Sequence, residues 1–353
     1  MISIGNRPSL TWHIPCFSFF CPTQMGTKRR FFMKLQRGIL LALILLSACK
    51  SGSESPEARN TPETQNPQVV VNPGIYPQAI VSGGVKRNYL LYVPQGYDGS
   101  KALPLVFLLH GHGMSAESMM KSTRMNEKAD QENFFAVYPQ GTVGPLGKTG
   151  WNTGSNDDVN PNIDDVAFIR DLAIKLEGQL NVDSKRIYAS GLSFGAAMSH
   201  RLAAELPDIL AGVAVVAGAI GNSVDGGVTY LPVAQQAKSP ISVLILHGYN
   251  DTHVLYDGGQ GVIPGLNVLP VSDAVAFWTQ ADGCTDTPPP PQFPSTNNIQ
   301  IQDFTACTAG SEVELIAIQS GEHEWPRRDN HAHFAGNDAI WEFFSRHPKG
   351  NEE

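Results

Sequence analysis

The chain has 353 residues, 42% of them hydrophobic and 16% charged, so it can bury a substantial core and is not a disordered polymer. Its formal net charge is −8, and the densest positive run (Lys28, Arg29, Arg30, Lys34, Arg37) lies close to the first residue. Neutralising nucleic-acid phosphates needs clustered Lys and Arg on the folded domain, so no nucleic-acid partner is expected.

From Met33 a basic start leads into an apolar run from Gly38 to Leu46 and then small residues, the pattern of a secretory signal. The run is too short to span a bilayer stably. Leu46-Ser47-Ala48-Cys49 resembles the bacterial lipobox, whose cysteine is lipidated and becomes the first mature residue, so Cys49 is the expected lipidation site. Lys50 rather than Asp after it implies, through the same resemblance, an outer-membrane or cell-surface lipoprotein anchored to the membrane by its lipid. An ordinary signal peptide with an incidental cysteine would leave the protein secreted or periplasmic. The expected organisation is a leader over 1–48, with translation starting at Met1 or Met33, and a disordered tether over 49–72 rich in Ser, Glu, Pro, Thr, Asn and Gln. One domain follows over 73–348.

Within that domain short apolar runs alternate with helix-period segments, as expected of an α/β fold with a mainly parallel sheet flanked by helices. Strands are predicted at 89–93, 103–109 and 134–138, the second a continuous apolar run suited to burial on both faces. Val166, Ile169, Leu172, Ala173, Leu176 and Leu180 recur at three- and four-residue steps and predict an amphipathic helix capped by Asp164 or Asp165. A short strand at 186–189 and a helix at 195–206, stopped by Pro207, come next. Further strands are predicted at 213–216, 243–246 and 313–318, with helices at 274–279 and 338–345.

Gly191-Leu192-Ser193-Phe194-Gly195 falls between a predicted strand and a predicted helix of small residues. A G-x-S-x-G turn is sharp enough to require tiny flanking residues, and it exposes a serine at a helix N-terminus, where developing negative charge is favoured. Ser193 is therefore the candidate nucleophile; an ordinary strand-to-helix turn is the plain alternative. In this arrangement an acid and then a histidine follow in chain order. Asp251 closes the segment His247-Gly248-Tyr249-Asn250-Asp251 after one strand, with Asp257 as its rival. His323 follows the last long strand and is the candidate general base, with His331 and His333 as competitors that read better as a surface pair. Small residues in Leu109-His110-Gly111-His112-Gly113 would let backbone N–H groups face a reacting carbonyl, so the oxyanion hole is assigned to the N–H groups of His112 and Phe194.

Cys284 and Cys307 are the only cysteines of the predicted domain, and an isolated pair in an exported chain is expected to form a disulfide. Closing that loop would restrict the unfolded chain by ~3 kcal/mol. Zinc ligation is the poorer alternative, because no histidine lies near the two thiols in sequence, and no metal is expected.

Taken together, these motifs resemble the polyhydroxybutyrate depolymerase and feruloyl/acetylxylan esterase family of α/β-hydrolases over roughly 74–347. The resemblance is carried by Arg87-Asn88-Tyr89-Leu90-Leu91-Tyr92-Val93-Pro94, Leu109-His110-Gly111, Tyr138-Pro139-Gln140-Gly141, Trp151-Asn152 and Asp164-Asp165-Val166. It continues through Gly191-Leu192-Ser193, Val215, Ala217-Gly218, His247-Gly248 with Asp251, and Gly321-Glu322-His323-Glu324-Trp325-Pro326. It implies ester hydrolysis through an acyl-enzyme, without a cofactor, on short acyl or aromatic esters, and the family places a disulfide where Cys284 and Cys307 fall. The substrate would be an ester, polymeric if borne on a polysaccharide or a polyester. Trp151 and Trp325 are candidate walls for a sugar ring or aromatic acyl group, with packing as the alternative. Phe194, Ala196, Glu322 and Arg327 depart from the family pattern at the rim and leave the choice among acetyl, feruloyl and hydroxybutyrate esters open, as is the oligomeric state. Two other readings stay in view: a peptidase on the same fold, and a lipoprotein that binds polysaccharide without cleaving it.

Overall fold

The computed structural model describes residues 72–154, 161–224, 227–230, 237, 239–262 and 265–350. The expected leader, Cys49 and all of the expected tether except Asn72 lie outside the described residues. Among the described residues nine strands form the main sheet: β1 (Gly74–Ser82), β2 (Val85–Val93), β3 (Leu103–Leu109), β4 (Phe135–Pro139), β5 (Val182–Leu192), β6 (Gly212–Val216), β7 (Ser242–Gly248), β8 (Ile299–Phe304) and β9 (Val313–Ile318). Their spatial order is β1-β2-β4-β3-β5-β6-β7-β9-β8. From β4 to β9 every neighbouring pair is parallel. The hairpin β1–β2 and the last strand β8 add antiparallel edges.

All seven strands expected from apolar runs lie in this sheet, with 134–138 displaced by one residue. The strands that sequence patterning passed over are the edges β1 and β8. Their residues are mostly exposed or half-buried, so they lack the continuous apolar run of a central strand. A second sheet was also unanticipated; it joins Gly221–Val224, Gly227–Tyr230, Gly259–Gln260 and Asn267–Val268, the last two only two residues long.

Among the described residues six α-helices cover the two faces of the main sheet. One face packs against α3 (Asp165–Glu177), α4 (Phe194–Glu205) and α5 (Val271–Ala281), the other against α1 (Ala116–Thr123), α2 (Met125–Glu132) and α6 (Gly336–Arg346). The pleat of β3 divides its side chains between them: Leu105, Phe107 and Leu109 face the first layer, Val106 and Leu108 the second. Burying each such side chain contributes about 1.5–3 kcal/mol. At eight residues each, α1 and α2 offer too few repeats of an apolar position to be found by pattern. Asp164, not Asp165, caps α3 by accepting the Ala167 N–H. Asp165 is buried instead, with one carboxylate oxygen 2.5 Å from Arg87 and the other accepting the Asn152 N–H at 2.7 Å. That pairing ties β2 to the segment carrying Trp151 and Asn152.

The expected disulfide joins Cys284 to Cys307. Just before it Asp282 ends α5, almost wholly buried, with one oxygen accepting the Ile241 N–H at 3.3 Å and the other unpartnered. Burial pushes this carboxyl from 3.8 up to about 7, against the smaller opposing influence of Ser311 and the Ile241 N–H. Between those two values the folded state holds a proton that the unfolded state has lost, so stability falls as pH rises through that window and levels off above it. Asp282→Asn keeps the acceptor for Ile241 and removes the titration. Urea unfolding at pH 5 and pH 8 should therefore show a smaller loss of midpoint in the variant than in the parent.

Candidate active site

Three loops leave the same end of the sheet, because β5, β7 and β9 run parallel in register. The first is the turn from β5 into α4. Ser193 adopts φ 57° and ψ −115°, and its N–H donates to Val216 O at 2.9 Å. The flanking glycines are obligatory: a Cβ on Gly191 would stand 2.2 Å from Gly195 O, and one on Gly195 would stand 2.1 Å from Leu109 O. The strain at a non-glycine positive φ is typical of a functional turn.

The other two loops touch each other. Asn250 N–H donates to Gly321 O at 3.0 Å and Tyr249 N–H to Ile318 O at 2.8 Å. A Cβ on Gly248 would lie 2.3 Å from Gly321 O, so these backbones meet only because glycine is present. Their contact brings Asp251 and His323 together: His323 Nδ1–H donates to Asp251 Oδ2 at 2.7 Å. A carboxylate can only accept, which leaves Nε2 as the free lone pair, and the Ser193 hydroxyl donates to it at 2.9 Å. Asp251 Oδ1 accepts the N–H groups of His253 and Val254 at 2.8 and 2.9 Å. Burial favours the neutral carboxyl of Asp251, but the hydrogen bond and charge of His323, with help from His247 and Val254, hold it below its ordinary value. The arrangement can move a proton from the serine oxygen onto a histidine whose new charge is balanced. The rivals lie apart: Asp257 is exposed, and His331 sits 3.4 Å from Glu324 on the surface. Glu324 also accepts the Ala332 N–H, and Glu322 is exposed.

Phe194 opens α4, so its N–H has no partner within the helix. His112 stands opposite, its ring 5.7 Å from that of Phe194, edge to face. Among the described residues neither backbone N–H donates to a protein acceptor. His110, passed over as a site residue in the sequence, holds this loop. It is wholly buried and pushed down to about 4 by desolvation, so it is neutral. Its Nε2 accepts the Gly141 N–H at 3.0 Å, and its Nδ1–H donates to Gly111 O at 2.8 Å. His247 was also missed; it too is buried and kept neutral, chiefly by desolvation, and donates to Val254 O at 2.8 Å, fixing the turn around Asp251. A histidine inside an apolar strand end is the signal that could have flagged both.

The expectation that Trp151 and Trp325 wall the substrate is corrected. They are 0% and 2% exposed, and each indole N–H is used internally, on His110 O at 2.8 Å and on Asn337 Oδ1 at 2.7 Å. Packing is their role. Two groups could reach a metal ion: Asp251, His253 and His323, and Asp303, Glu312 and Glu314. In the first, both nitrogens of His323 are engaged by Asp251 and Ser193; in the second, Arg346 already bridges Glu312 and Glu314.

Sheet order, helix layers and a strained serine turn define the class, an α/β-hydrolase, and the family and relatives it matches make it a carboxylic-ester hydrolase. Residues 87–278 match the family described as esterase PHB depolymerase, and the chain belongs to that family. Feruloyl esterase B of Piromyces equi is 29% identical over 241 residues, 67% of this chain but only 42% of that protein's length. Feruloyl esterase C of Emericella nidulans is 29% identical over 282 residues, 77% of this chain and 90% of its own. Among solved structures, acetyl xylan esterase from Aspergillus awamori shares the fold with a TM-score of 0.53 at 16% identity, covering 76% of this chain and 99% of that one.

The glycine contact makes a sharp prediction. Gly248→Val should push the two loops apart and lower kcat by roughly 100-fold, the usual cost of misplacing reacting groups by about 1 Å. Far-ultraviolet circular dichroism should stay that of the parent; unchanged turnover would show the contact to be dispensable.

Proposed function

We propose that the chain is an exported serine esterase that cleaves acyl esters borne on plant polysaccharide, such as feruloyl or acetyl groups. The observation that carries this reading is the unbroken hydrogen-bonded series from Ser193 through His323 to Asp251, at 2.9 and 2.7 Å. In the first half-reaction Ser193 Oγ attacks the ester carbonyl while its proton passes to His323 Nε2. Asp251 balances the imidazolium. The N–H groups of His112 and Phe194 receive the carbonyl oxygen as it becomes an oxyanion, each such donor being worth about 3 kcal/mol in the transition state. Collapse of the intermediate breaks the bond to the alcohol oxygen, which takes the proton from His323, and leaves an acyl-enzyme on Ser193. Water then repeats the sequence, releasing the acid and regenerating the serine.

The feruloyl and acetyl xylan esterases among the relatives support plant-polysaccharide esters over hydroxybutyrate-type esters. The secretory pattern before Cys49 supports export, with lipid on Cys49, a tether over 49–72 and the catalytic domain over 73–348. Among the described residues no helix is long and apolar enough to cross a membrane.

Two tests follow from this reading. Ser193→Ala should lower release of p-nitrophenol from its acetate ester by roughly 10⁶-fold with the fold intact; a wild-type rate would overturn it. Cys49→Ser should move the protein from the membrane pellet to the soluble fraction after cell lysis, and retention in the pellet would remove the lipid anchor from the proposal.

A further inference from the structure

A cleft lies beside the site, on the same end of the sheet. Tyr249 and Asn250 border it from the loop that ends at Asp251, and Gln319 and Ser320 from the loop that leads to His323. Its far wall is the segment 293–298, which enters β8 where Ile299 pairs with Ile318. The cavity measures about 470 Å³, within the range of small-molecule sites.

The wall is built rather than loose. Ser295 N–H donates to Gln319 Oε1 at 2.7 Å, Gln319 N–H to Asn298 O at 2.7 Å, and Ser320 N–H to Asn298 Oδ1 at 2.9 Å. Asn298 Nδ2 donates in turn to Ala332 O at 2.8 Å. Tyr249 stacks on Phe293 at 4.3 Å between ring centroids, and Tyr256 meets both rings at a steep angle. Despite that packing Tyr249 remains 37% exposed. Among the described residues the side-chain amide of Asn250, the Gln319 NH₂ and the hydroxyls of Tyr249 and Thr296 have no hydrogen-bond partner.

No side chain lining the cleft is charged. A phosphate, a carboxylate or a peptide terminus would find no counter-ion there, and desolvating it would be costly. A wholly apolar chain would leave the amide and hydroxyl groups buried without partners. What fits a fixed aromatic ring ringed by neutral amides and hydroxyls is a ligand with an apolar C–H face and an edge of hydroxyl groups. We propose that this cleft is a subsite for a neutral oligosaccharide, which stacks a sugar ring on Tyr249 and so presents an ester on the same chain to Ser193. The inference depends on the esterase reading only for its purpose; the binding itself can be measured without turnover.

The full chain carrying Ser193→Ala should bind xylohexaose in isothermal titration calorimetry, and adding Tyr249→Ala should weaken that binding by about tenfold or more. Tyr249→Phe keeps the ring and should stay near the parent, which separates a lost stacking surface from a disturbed loop. With Ser193 restored, Tyr249→Ala should lower kcat/KM for a feruloylated xylo-oligosaccharide relative to that for p-nitrophenyl acetate by a similar factor. Three results would each overturn the subsite: no binding of xylohexaose by the parent, equal binding by Tyr249→Ala, or preference for a charged oligogalacturonate or a hydroxybutyrate oligomer. Binding through Tyr249 in a protein that hydrolyses no ester would instead refute the esterase reading and leave the subsite standing.

Discussion

The end of β7 and the loop after β9 touch at Gly248 and Gly321, and no side chain fits between them. That contact sets the separation of Asp251 from His323, and through His323 the reach to Ser193. Strand register supplies the rough alignment, since parallel neighbours deliver their C-terminal loops to one end of a sheet. Glycine supplies the remainder. The same device recurs one loop away, where Gly191 and Gly195 let the serine turn close on itself and on β3. The site is thus assembled from backbones packed to contact, with the chemistry-bearing side chains placed as a result.

Electrostatics divides the buried polar groups into two sets. His110 and His200 lie in apolar surroundings that push them down to about 4 and about 3, and each accepts a hydrogen bond that its neutral form can satisfy. They act as fixed struts. Asp251 differs, because His323, His247 and the Val254 N–H together outweigh its loss of water and hold its carboxyl below the ordinary value. Its carboxylate thus lies beside His323 Nδ1, 2.7 Å away, where it can balance positive charge on that ring.

Much of this could be read from the residues alone. Central strands announce themselves, because burial on both faces demands unbroken apolar runs such as Leu103 to Leu109. Ser193, Asp251 and His323 were legible because each follows such a run, and a strand end is where a parallel sheet presents reactive groups. The edges β1 and β8 and the helices α1 and α2 were not, since one exposed face dilutes their pattern. Trp151 and Trp325 misled for a different reason. Large aromatics near functional motifs serve equally to prop a loop from behind, and only burial distinguishes a prop from a wall. His110 and His247 could be suspected from a histidine at an apolar strand end, but their partners are backbone groups and so could not be named from sequence.

The hydrogen bond between Ser193 and His323 spans 130 residues of chain, and that between His323 and Asp251 spans 72. A ribosome emits the serine turn long before its partner exists, and contacts so distant in sequence form late in folding. Ser193 can be present in a nascent chain whose β9 has yet to be made, and such a chain lacks the histidine to which the serine hydroxyl donates. The hydrogen-bonded series is therefore complete only once β9 and the loop after it have docked.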